Sequence, residues 1–127
     1  MGGILNNSNN NNTKIYLAAP FNHPNPKVRE ARVEAVNKKA AELMEQGYLV
    51  FSPLSHSYPI SKYCTVDPCD NDFWLRQDLW ILKTCDEFHI LCLKGWWESK
   101  GIKAEMAYAK AIMRCGEIGL KVVLHEA

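Results

Sequence analysis

Short apolar runs alternate along this chain with longer segments whose apolar residues recur at helical spacing. The runs are rich in strand-forming residues and lie at residues 14–19, 48–51, 88–93 and 120–124. The segments between them predict helices over residues 27–46, 71–83 and 101 to about 115. Asn25 and Pro26 are typical of a helix start, and Gly47 is typical of a helix end.

The predicted order of strands and helices indicates an α/β fold. Strands that are apolar throughout are typical of a parallel sheet covered on both faces, so we expect a three-layer Rossmann- or flavodoxin-like sheet of four to five strands. The carboxyl ends of its strands share one edge, where such folds bind ligands. Residues 18–23, 52–56 and 94–99 and the start of the third helix collect there. Residues 54–70 have no clear period and are expected to form a long loop.

Composition narrows the class of protein to a small globular domain. The 127 residues are 47% hydrophobic and 23% charged, which suits one domain over residues 13–127. Residues 1–12 are Asn-rich and low in complexity, so we expect a disordered leader. No apolar stretch approaches the roughly 20 residues that span a bilayer, and no signal peptide is recognisable. With five cysteines that fit reduced thiols, these features predict a cytoplasmic protein without membrane contact.

Charge and metal-binding patterns exclude further classes. Fifteen Lys and Arg against fourteen Asp and Glu give a formal charge of +1, which counts against a polymeric nucleic acid as partner. Cys64 and Cys69 are spaced wrongly for a zinc site, and no helix carries a two-histidine metal pattern. Phosphate-loop and serine-elbow sequences are absent as well. We therefore expect neither a metal nor another cofactor.

The turn into the third predicted helix carries the clearest chemical signal. Ser99 lies where the helix begins, and it either donates its hydroxyl to an anionic ligand group or only caps the helix. Glu105 leans back over Gly101, because side chains tilt towards a helix N-terminus, and glycine leaves open space there. The carboxylate of Glu105 therefore either faces a pocket or lies in solvent and pairs with Lys103 or another base.

Five further side chains carry possible roles. Asp78 lies beside the apolar stripe of the second helix, where an unpaired carboxylate is costly. Asp86 precedes the third strand, away from the expected ligand edge, and is interpreted as structural. His56 follows the second strand and could contact a ligand, whereas His89 lies inside a strand and is interpreted as core. Trp96, in a loop, either packs in the core or stacks on a planar ligand.

Four pieces of the sequence occur together in a known family. They are KIYLAAPF at residues 14–21, Asp78, the pair Cys85-Asp86, and the pattern SxGxxxEMAYA at residues 99–109. This combination resembles the nucleoside 2-deoxyribosyltransferase superfamily, which includes deoxynucleoside-monophosphate N-glycosidases. The similarity covers residues 14 to about 123, and the last piece is its most specific part.

The resemblance implies a reaction and a role for each matching residue. The Glu that matches Glu105 is the nucleophile that attacks the anomeric carbon of the sugar. The Asp that matches Asp78 positions the sugar or protonates the leaving base, and the Tyr that matches Tyr16 orients the nucleophile. Ser99 stands where the transferases typically have Asp, and it matches the monophosphate hydrolases, in which a Ser contacts the 5′-phosphate.

The resulting hypothesis is a hydrolase that cleaves the N-glycosidic bond of a nucleotide, with a 2′-deoxynucleoside 5′-monophosphate as the expected substrate. Base exchange between deoxynucleosides and non-catalytic nucleotide binding are the alternatives. The expected substrate contacts, besides the catalytic residues, are Ser99, Gly101, Ala18, Pro20, Phe21, His56 and Trp96. The resemblance also implies a homodimer or higher homo-oligomer, although the family's usual fifth strand has no counterpart in this sequence.

Overall fold

The computed structural model describes residues 12–113 and 120–127, and in that part the α/β prediction is confirmed. The strands and helices, in chain order, are β1 (Lys14–Ala18), α1 (Pro26–Glu45), β2 (Leu49–Phe51), α2 (Pro53–Ser61), α3 (Asn71–Leu82), β3 (Glu87–Cys92), α4 (Lys100–Ile112) and β4 (Val122–Glu126). A 3₁₀ turn over Trp96–Glu98 lies between β3 and α4. The predicted leader up to residue 11 and the predicted helix end near residue 115 lie outside the described residues.

The four described strands pair in parallel, in the order β2-β1-β3-β4. Tyr16 of β1 stands beside Phe51 of β2 on one side and beside Phe88 of β3 on the other, and Phe88 is paired in turn with Val122 of β4. Because every strand runs in the same direction, the carboxyl ends of β1, β2 and β3 reach one edge. This is the edge at which the sequence predicts a ligand site.

Helices cover both faces of the sheet, as the uniformly apolar strands predict. Ile15 and Leu17 of β1 belong to a buried cluster with α1, whereas Tyr16 and Ala18 belong to a second cluster with α3 and α4. Successive side chains of a strand point to opposite faces, and all four are fully buried. β1 is therefore the centre of the core, and Tyr16 points towards the layer that holds α3 and α4.

Local hydrogen bonds fix where the helices and strands begin. The side chain of Asn25 accepts the N–H of Lys27 at the start of α1, and that of Asp70 accepts the N–H of Phe73 at the start of α3. Asp86 accepts the N–H of Lys14 at 2.9 Å and donates its own N–H to the Lys14 carbonyl at 2.8 Å. These two bonds join the starts of β1 and β3, which gives Asp86 the predicted structural role.

The expected loop over residues 54–70 is a wrong prediction in its first part, where α2 forms. Ser52 caps this helix, since its Oγ accepts the N–H of Ser55 at 3.3 Å, and Pro53 occupies a first position that needs no N–H donor. Pro59 lies inside the helix and its apolar residues have no helical period. The cap and the packing against the rest of the fold therefore outweigh a weak local preference.

The predicted bounds of the last strand are also wrong by two residues. β4 begins at Val122 rather than at residue 120, and it ends at Glu126. Pairing with β3 starts where Phe88 donates its N–H to the carbonyl of Lys121 at 3.0 Å. The partner strand, rather than the apolar run, sets the start of β4.

His89 is buried, as predicted, but it belongs to a polar network on the α1 face of the sheet. Its Nδ1 lies 2.8 Å from Nε2 of His125, and its Nε2 lies 2.8 Å from Oε1 of Glu87. The ammonium of Lys121 pairs with the other oxygen of Glu87 at 3.2 Å. This chain of contacts ties β4 to β3 through side chains as well as through the backbone.

α1 is the longest described helix, with 20 residues. Only Val33, Val36, Ala40 and Leu43 of this helix are buried, and charged side chains occupy much of its other faces. In the part of the chain that the structure describes, no helix is both long enough and apolar enough to cross a bilayer.

Candidate active site

A cavity opens at the carboxyl edge of the sheet, bounded by the loop after β1 and by α2, α3 and α4. Its volume is about 120 Å³. A single water molecule needs only about 10–15 Å³, so the cavity can take an organic ligand. The residues that border it include Phe21, Asn22, Tyr58, Asn71, Trp74, Asp78, Ser99, Gly101 and Glu105.

Glu105 lies in the second turn of α4 and has only 9% of its surface exposed. The phenol of Tyr16 donates a hydrogen bond of 2.5 Å to Oε2 of Glu105. Tyr16 is fully buried, with its ring packed against Phe51 and Phe88, so the donor is held in place. Of the two interpretations of Glu105, the carboxyl that faces a pocket is correct, and its hydrogen-bond partner is Tyr16 rather than Lys103.

Asp78 borders the same cavity from α3 and has 6% of its surface exposed. Within residues 12–113 and 120–127, its carboxyl accepts no hydrogen bond from another side chain or from the backbone. Burial raises the pKa of Asp78 to about 7, because an ionised carboxylate loses hydration there. Asp78 therefore keeps its proton to a higher pH than an exposed carboxyl does, at a position that borders the cavity.

The two carboxyls affect each other's ionisation. Burial raises the pKa of Glu105 above its usual value, the hydrogen bond from Tyr16 lowers it, and the charge of Asp78 raises it again. Acids that interact in one cavity titrate as a pair. The hydrogen bond from Tyr16 favours negative charge on Glu105, and Asp78 has no such donor. One cavity thus holds two buried carboxyls with different hydrogen-bond surroundings.

Ser99 caps α4, as one interpretation predicts, and it also borders the cavity, whereas its contact with an anionic ligand group stays a prediction. Its Oγ accepts the N–H of Ile102 at 3.2 Å, which leaves its own O–H to donate to a ligand. Gly101 lies beside it, and a Cβ there would meet Oδ1 of Asn71 at 3.6 Å and Oγ of Ser99 at 3.7 Å. These groups and the first N–H groups of α4 form a polar end of the cavity, more than one helical turn from Glu105.

Aromatic side chains form another wall of the cavity. The rings of Phe21 and Tyr58 meet edge to face with centroids 5.8 Å apart, and the ammonium of Lys62 lies 5.1 Å from the Tyr58 ring. The indole N–H of Trp74 donates to the carbonyl of Asp67 at 3.1 Å, which fixes the orientation of that ring. Such a wall suits a planar ligand group.

Four predicted substrate contacts lie outside the cavity lining. Ala18 and Pro20 are fully buried at the end of β1. His56 is exposed on α2, with its ring 5.7 Å from Phe51, and Trp96 packs against the core cluster beside α4. Their backbones lie near the predicted edge, but their side chains are directed elsewhere. The remaining predicted contacts, Phe21, Ser99 and Gly101, border the cavity.

Comparison with known proteins assigns the chain to a family. A family model described as a domain of unknown function, DUF1937, matches residues 13–118. The chain belongs to the DUF1937 family. This description names no activity, and no curated protein matches the chain. Neither finding links the DUF1937 chain to the nucleoside 2-deoxyribosyltransferase superfamily, so that resemblance and the homo-oligomer that it implies stay predictions.

Sequence reasoning missed two asparagines that border the cavity of the DUF1937 chain. Asn22 lies in the loop after β1, and Asn71 is the first residue of α3. The amide of Asn22 donates to Oδ1 of Asn71 at 3.0 Å, across a separation of 49 residues. In the sequence Asn71 is indistinguishable from Asp70 as a helix cap, so no local signal identifies its place in the site.

The thiols and metal-ligating side chains of the DUF1937 chain are dispersed. Among the residues that the structure describes, no group of three or more His, Cys, Asp or Glu is arranged to hold a metal ion. Cys64, Cys69, Cys85 and Cys92 are free thiols. The described side chains that border the cavity carry carboxyl, hydroxyl, phenol and amide groups.

Proposed function

We propose that this chain hydrolyses the N-glycosidic bond of a nucleotide, with a 2′-deoxynucleoside 5′-monophosphate as substrate. The observation that carries the proposal is the pair of buried carboxyls on one cavity, Glu105 with a phenol donor and Asp78 without one. Cleavage of this bond develops positive charge on the sugar and negative charge on the departing base. A carboxylate stabilises the first charge and a proton neutralises the second, and the pair supplies both.

Hydrolysis then proceeds in two steps. In the first, ionised Glu105 forms a bond from a carboxylate oxygen to the anomeric carbon, the carbon–nitrogen bond breaks with its electron pair going to the base, and Asp78 protonates that base. In the second, Asp78 takes a proton from a water molecule whose oxygen attacks the anomeric carbon. The ester bond breaks, Glu105 returns to the carboxylate, and Asp78 is again the acid.

Tyr16 orients the nucleophile in this mechanism. Burial, followed by the charges of Glu105 and Asp78, raises the pKa of Tyr16 far above its usual value, so the phenol remains a donor. Its hydrogen bond holds Oε2 of Glu105 and leaves Oε1 for the bond to the sugar. Fixing the attacking group in this way lowers the entropic part of the barrier.

The polar and aromatic parts of the cavity suit different parts of a nucleotide. The hydroxyl of Ser99 and the unpaired N–H groups at the start of α4 suit a 5′-phosphate, since a helix N-terminus favours negative charge. The rings of Phe21, Tyr58 and Trp74 suit a planar base. Glu105 and Asp78 lie along the cavity wall with both of these parts.

Chromatographic detection of free base tests this proposal. The four common 2′-deoxynucleoside 5′-monophosphates and their nucleosides are incubated with the wild type, with Glu105→Gln and with Glu98→Gln. The last variant makes the same change at an exposed residue outside the cavity lining. We expect base release by the wild type and by Glu98→Gln, and a loss of about 10³-fold or more in Glu105→Gln.

The alternatives give different results in the same assay. Equal release from the wild type and Glu105→Gln would refute the role of Glu105 as nucleophile. Release only after a second base is added would assign base exchange instead of hydrolysis. Tight binding without release, unaffected by Glu105→Gln, would assign a non-catalytic nucleotide-binding protein.

A further inference from the structure

Two asparagine side chains meet at the polar end of the cavity. Asn22 comes from the loop after β1 and Asn71 from the first turn of α3, and both border the cavity beside Ser99 and Gly101. The mechanism above gives neither of them a role. Their hydrogen bonds nevertheless determine which group Asn71 offers to a ligand.

The orientation of the Asn71 amide follows from its neighbours. Nδ2 of Asn22 lies 3.2 Å from the carbonyl oxygen of Cys69 and 3.0 Å from Oδ1 of Asn71. A carbonyl only accepts hydrogen bonds, so the Asn22 amide must present its NH₂ group there. The second hydrogen of that NH₂ then requires an oxygen on Asn71. In the part of the chain that the structure describes, the NH₂ group of Asn71 has no protein partner.

Asn71 lies close to the other donors of the polar end. A Cβ built on Gly101 would stand 3.6 Å from Oδ1 of Asn71 and 3.7 Å from Oγ of Ser99, so the absent side chain leaves a space between these two residues. Ser99 has a free O–H to donate, and Asn71 has a free NH₂. Both residues border the cavity, so a ligand at this end meets a hydroxyl donor and an amide donor.

The spacing along the helices matches a nucleotide with its phosphate at this end. Asn71 and Asp78 are seven residues apart, hence on one face of α3, and the rise of about 1.5 Å per residue separates them by about 10 Å. Ser99 and Glu105 are six residues apart, which gives about 9 Å along α4. A contact of about 3 Å at each end leaves a few ångströms between, roughly the width of one pentose ring.

Neutral donors matter here because the described lining of the cavity has no basic side chain. Its charged residues are Asp72, Asp78 and Glu105, and its other members are apolar or uncharged polar residues. A phosphate in such a cavity depends on hydrogen bonds from N–H and O–H groups rather than on an ion pair. Each such donor therefore has a large effect on whether a phosphate is accepted.

We infer that Asn71, oriented by Asn22, selects a 5′-phosphorylated substrate by donating its NH₂ group to the phosphate at the polar end of the cavity. The inference rests on the proposed function, because it assumes that a nucleotide occupies the cavity with its sugar at Glu105 and Asp78. It adds a specificity-determining residue that acts through the phosphate and not through the bond that is broken.

Asn71→Asp tests this role with little change in structure. Aspartate keeps the oxygen that accepts from Asn22, and a carboxylate is favoured in the first turn of a helix, so we expect α3 to be preserved. The substitution replaces the NH₂ donor with a second acceptor oxygen that repels phosphate. Asn37→Asp, on an exposed face of α1 outside the cavity lining, is the control for the added charge.

The measured quantity is kcat/KM for the best 5′-monophosphate divided by kcat/KM for the same nucleoside. We expect Asn71→Asp to lower this ratio about tenfold or more, since hydrogen bonds to charged groups contribute about 1.5–3 kcal/mol. Asn37→Asp should keep the wild-type ratio. The ratio for Asn71→Ser, whose hydroxyl donor is on a shorter side chain, is expected to lie between those of the wild type and Asn71→Asp. An unchanged ratio in Asn71→Asp overturns the inference.

Calorimetric binding of the same monophosphate separates this inference from the proposed function. If the wild type releases base and Asn71→Asp binds and cleaves the monophosphate equally well, only the role of Asn71 is refuted. If the wild type binds the monophosphate without cleaving it, weaker binding to Asn71→Asp still supports the inference. If the wild type prefers the nucleoside, or binds no monophosphate, the inference is wrong.

Discussion

Tyr16→Phe removes one atom from the surroundings of the carboxyl pair, the phenol oxygen that donates to Glu105. The Tyr16 ring lies 5.9 Å from Phe51 and 5.7 Å from Phe88, and phenylalanine keeps both contacts. A hydrogen bond to a charged group contributes about 1.5–3 kcal/mol, which corresponds to about 1–2 pKa units. A shift of about 1–2 pKa units makes the form with its charge on Glu105 and its proton on Asp78 about 10- to 100-fold rarer. We therefore expect kcat/KM to fall about 10- to 100-fold.

Two assays check this effect, one of them without substrate. Steady-state base release gives kcat/KM, and ¹³C NMR of protein labelled at the glutamate carboxyl carbons follows the ionisation of Glu105. That resonance should titrate at a higher pKa in Tyr16→Phe than in the wild type, because the hydrogen bond from Tyr16 lowers the pKa of Glu105. Tyr63→Phe, at a side chain that is 92% exposed, is the matched control. An unchanged kcat/KM together with an unchanged Glu105 titration in Tyr16→Phe would refute the assigned role of this hydrogen bond.

Three further substitutions test the acid, the histidine network and the cap of α2. Asp78→Asn removes the proton for the departing base, so kcat should fall about 10²- to 10⁴-fold. The loss should be smaller for substrates whose base leaves without protonation. Equal losses for the two kinds of substrate would contradict the role of Asp78 as the acid. Burial raises the pKa of Asp78 from 3.8 to about 7, so the contribution of Asp78 to folding stability is present below pH 3.8 and is lost as the pH rises through 7. In urea unfolding, the stability of the wild type should decline over that range relative to that of Asp78→Asn. Burial lowers the pKa of His89 and of His125 from 6.5, so their contribution to folding stability is present above pH 6.5 and is lost on acidification. Between about pH 7.5 and about pH 5.5, His125→Gln should therefore lose less stability than the wild type. Parallel curves of unfolding free energy against pH would contradict this. Ser52→Ala should lower the free energy of unfolding by about 1 kcal/mol, and an unchanged urea midpoint would argue against the assigned cap.

The parts of the fold that the sequence predicts are those with a local signal. β1 is a continuous apolar run, and α1 has an asparagine cap followed by proline, so both are predicted within a residue or two. α2 has no such pattern, because its nine residues include three serines and Pro59. Its stability depends on the Ser52 cap and on the surfaces that it packs against, which become known only with the fold. The start of β4 likewise depends on its pairing with β3.

In the candidate site, too, the sequence predicts the residues that have a local signal and misplaces those that depend on the packing of distant segments. The pocket-facing position of Glu105 follows from the tilt of helical side chains and from Gly101 one turn earlier, which are properties of a short segment. The side-chain directions of His56 and Trp96 depend on how α2 and the 3₁₀ turn are rotated on the core, so their proximity to the sheet edge was not sufficient to place them in the cavity. The amide orientation of Asn71 depends on Asn22 from a distant loop and required the three-dimensional structure.

The central claim is that Glu105 forms a covalent ester with the sugar of a nucleotide. Asp78→Asn lacks the base of the second step, so the ester should accumulate in this variant when the substrate carries a base that leaves without protonation. Acid quenching during turnover, followed by mass spectrometry of the intact protein and its peptides, measures it directly. The account predicts a protein heavier by one deoxyribose phosphate group on the peptide that contains Glu105, and no adduct when Glu105→Gln is added. Unmodified protein in every sample, with base release that persists in Glu105→Gln, would contradict the account.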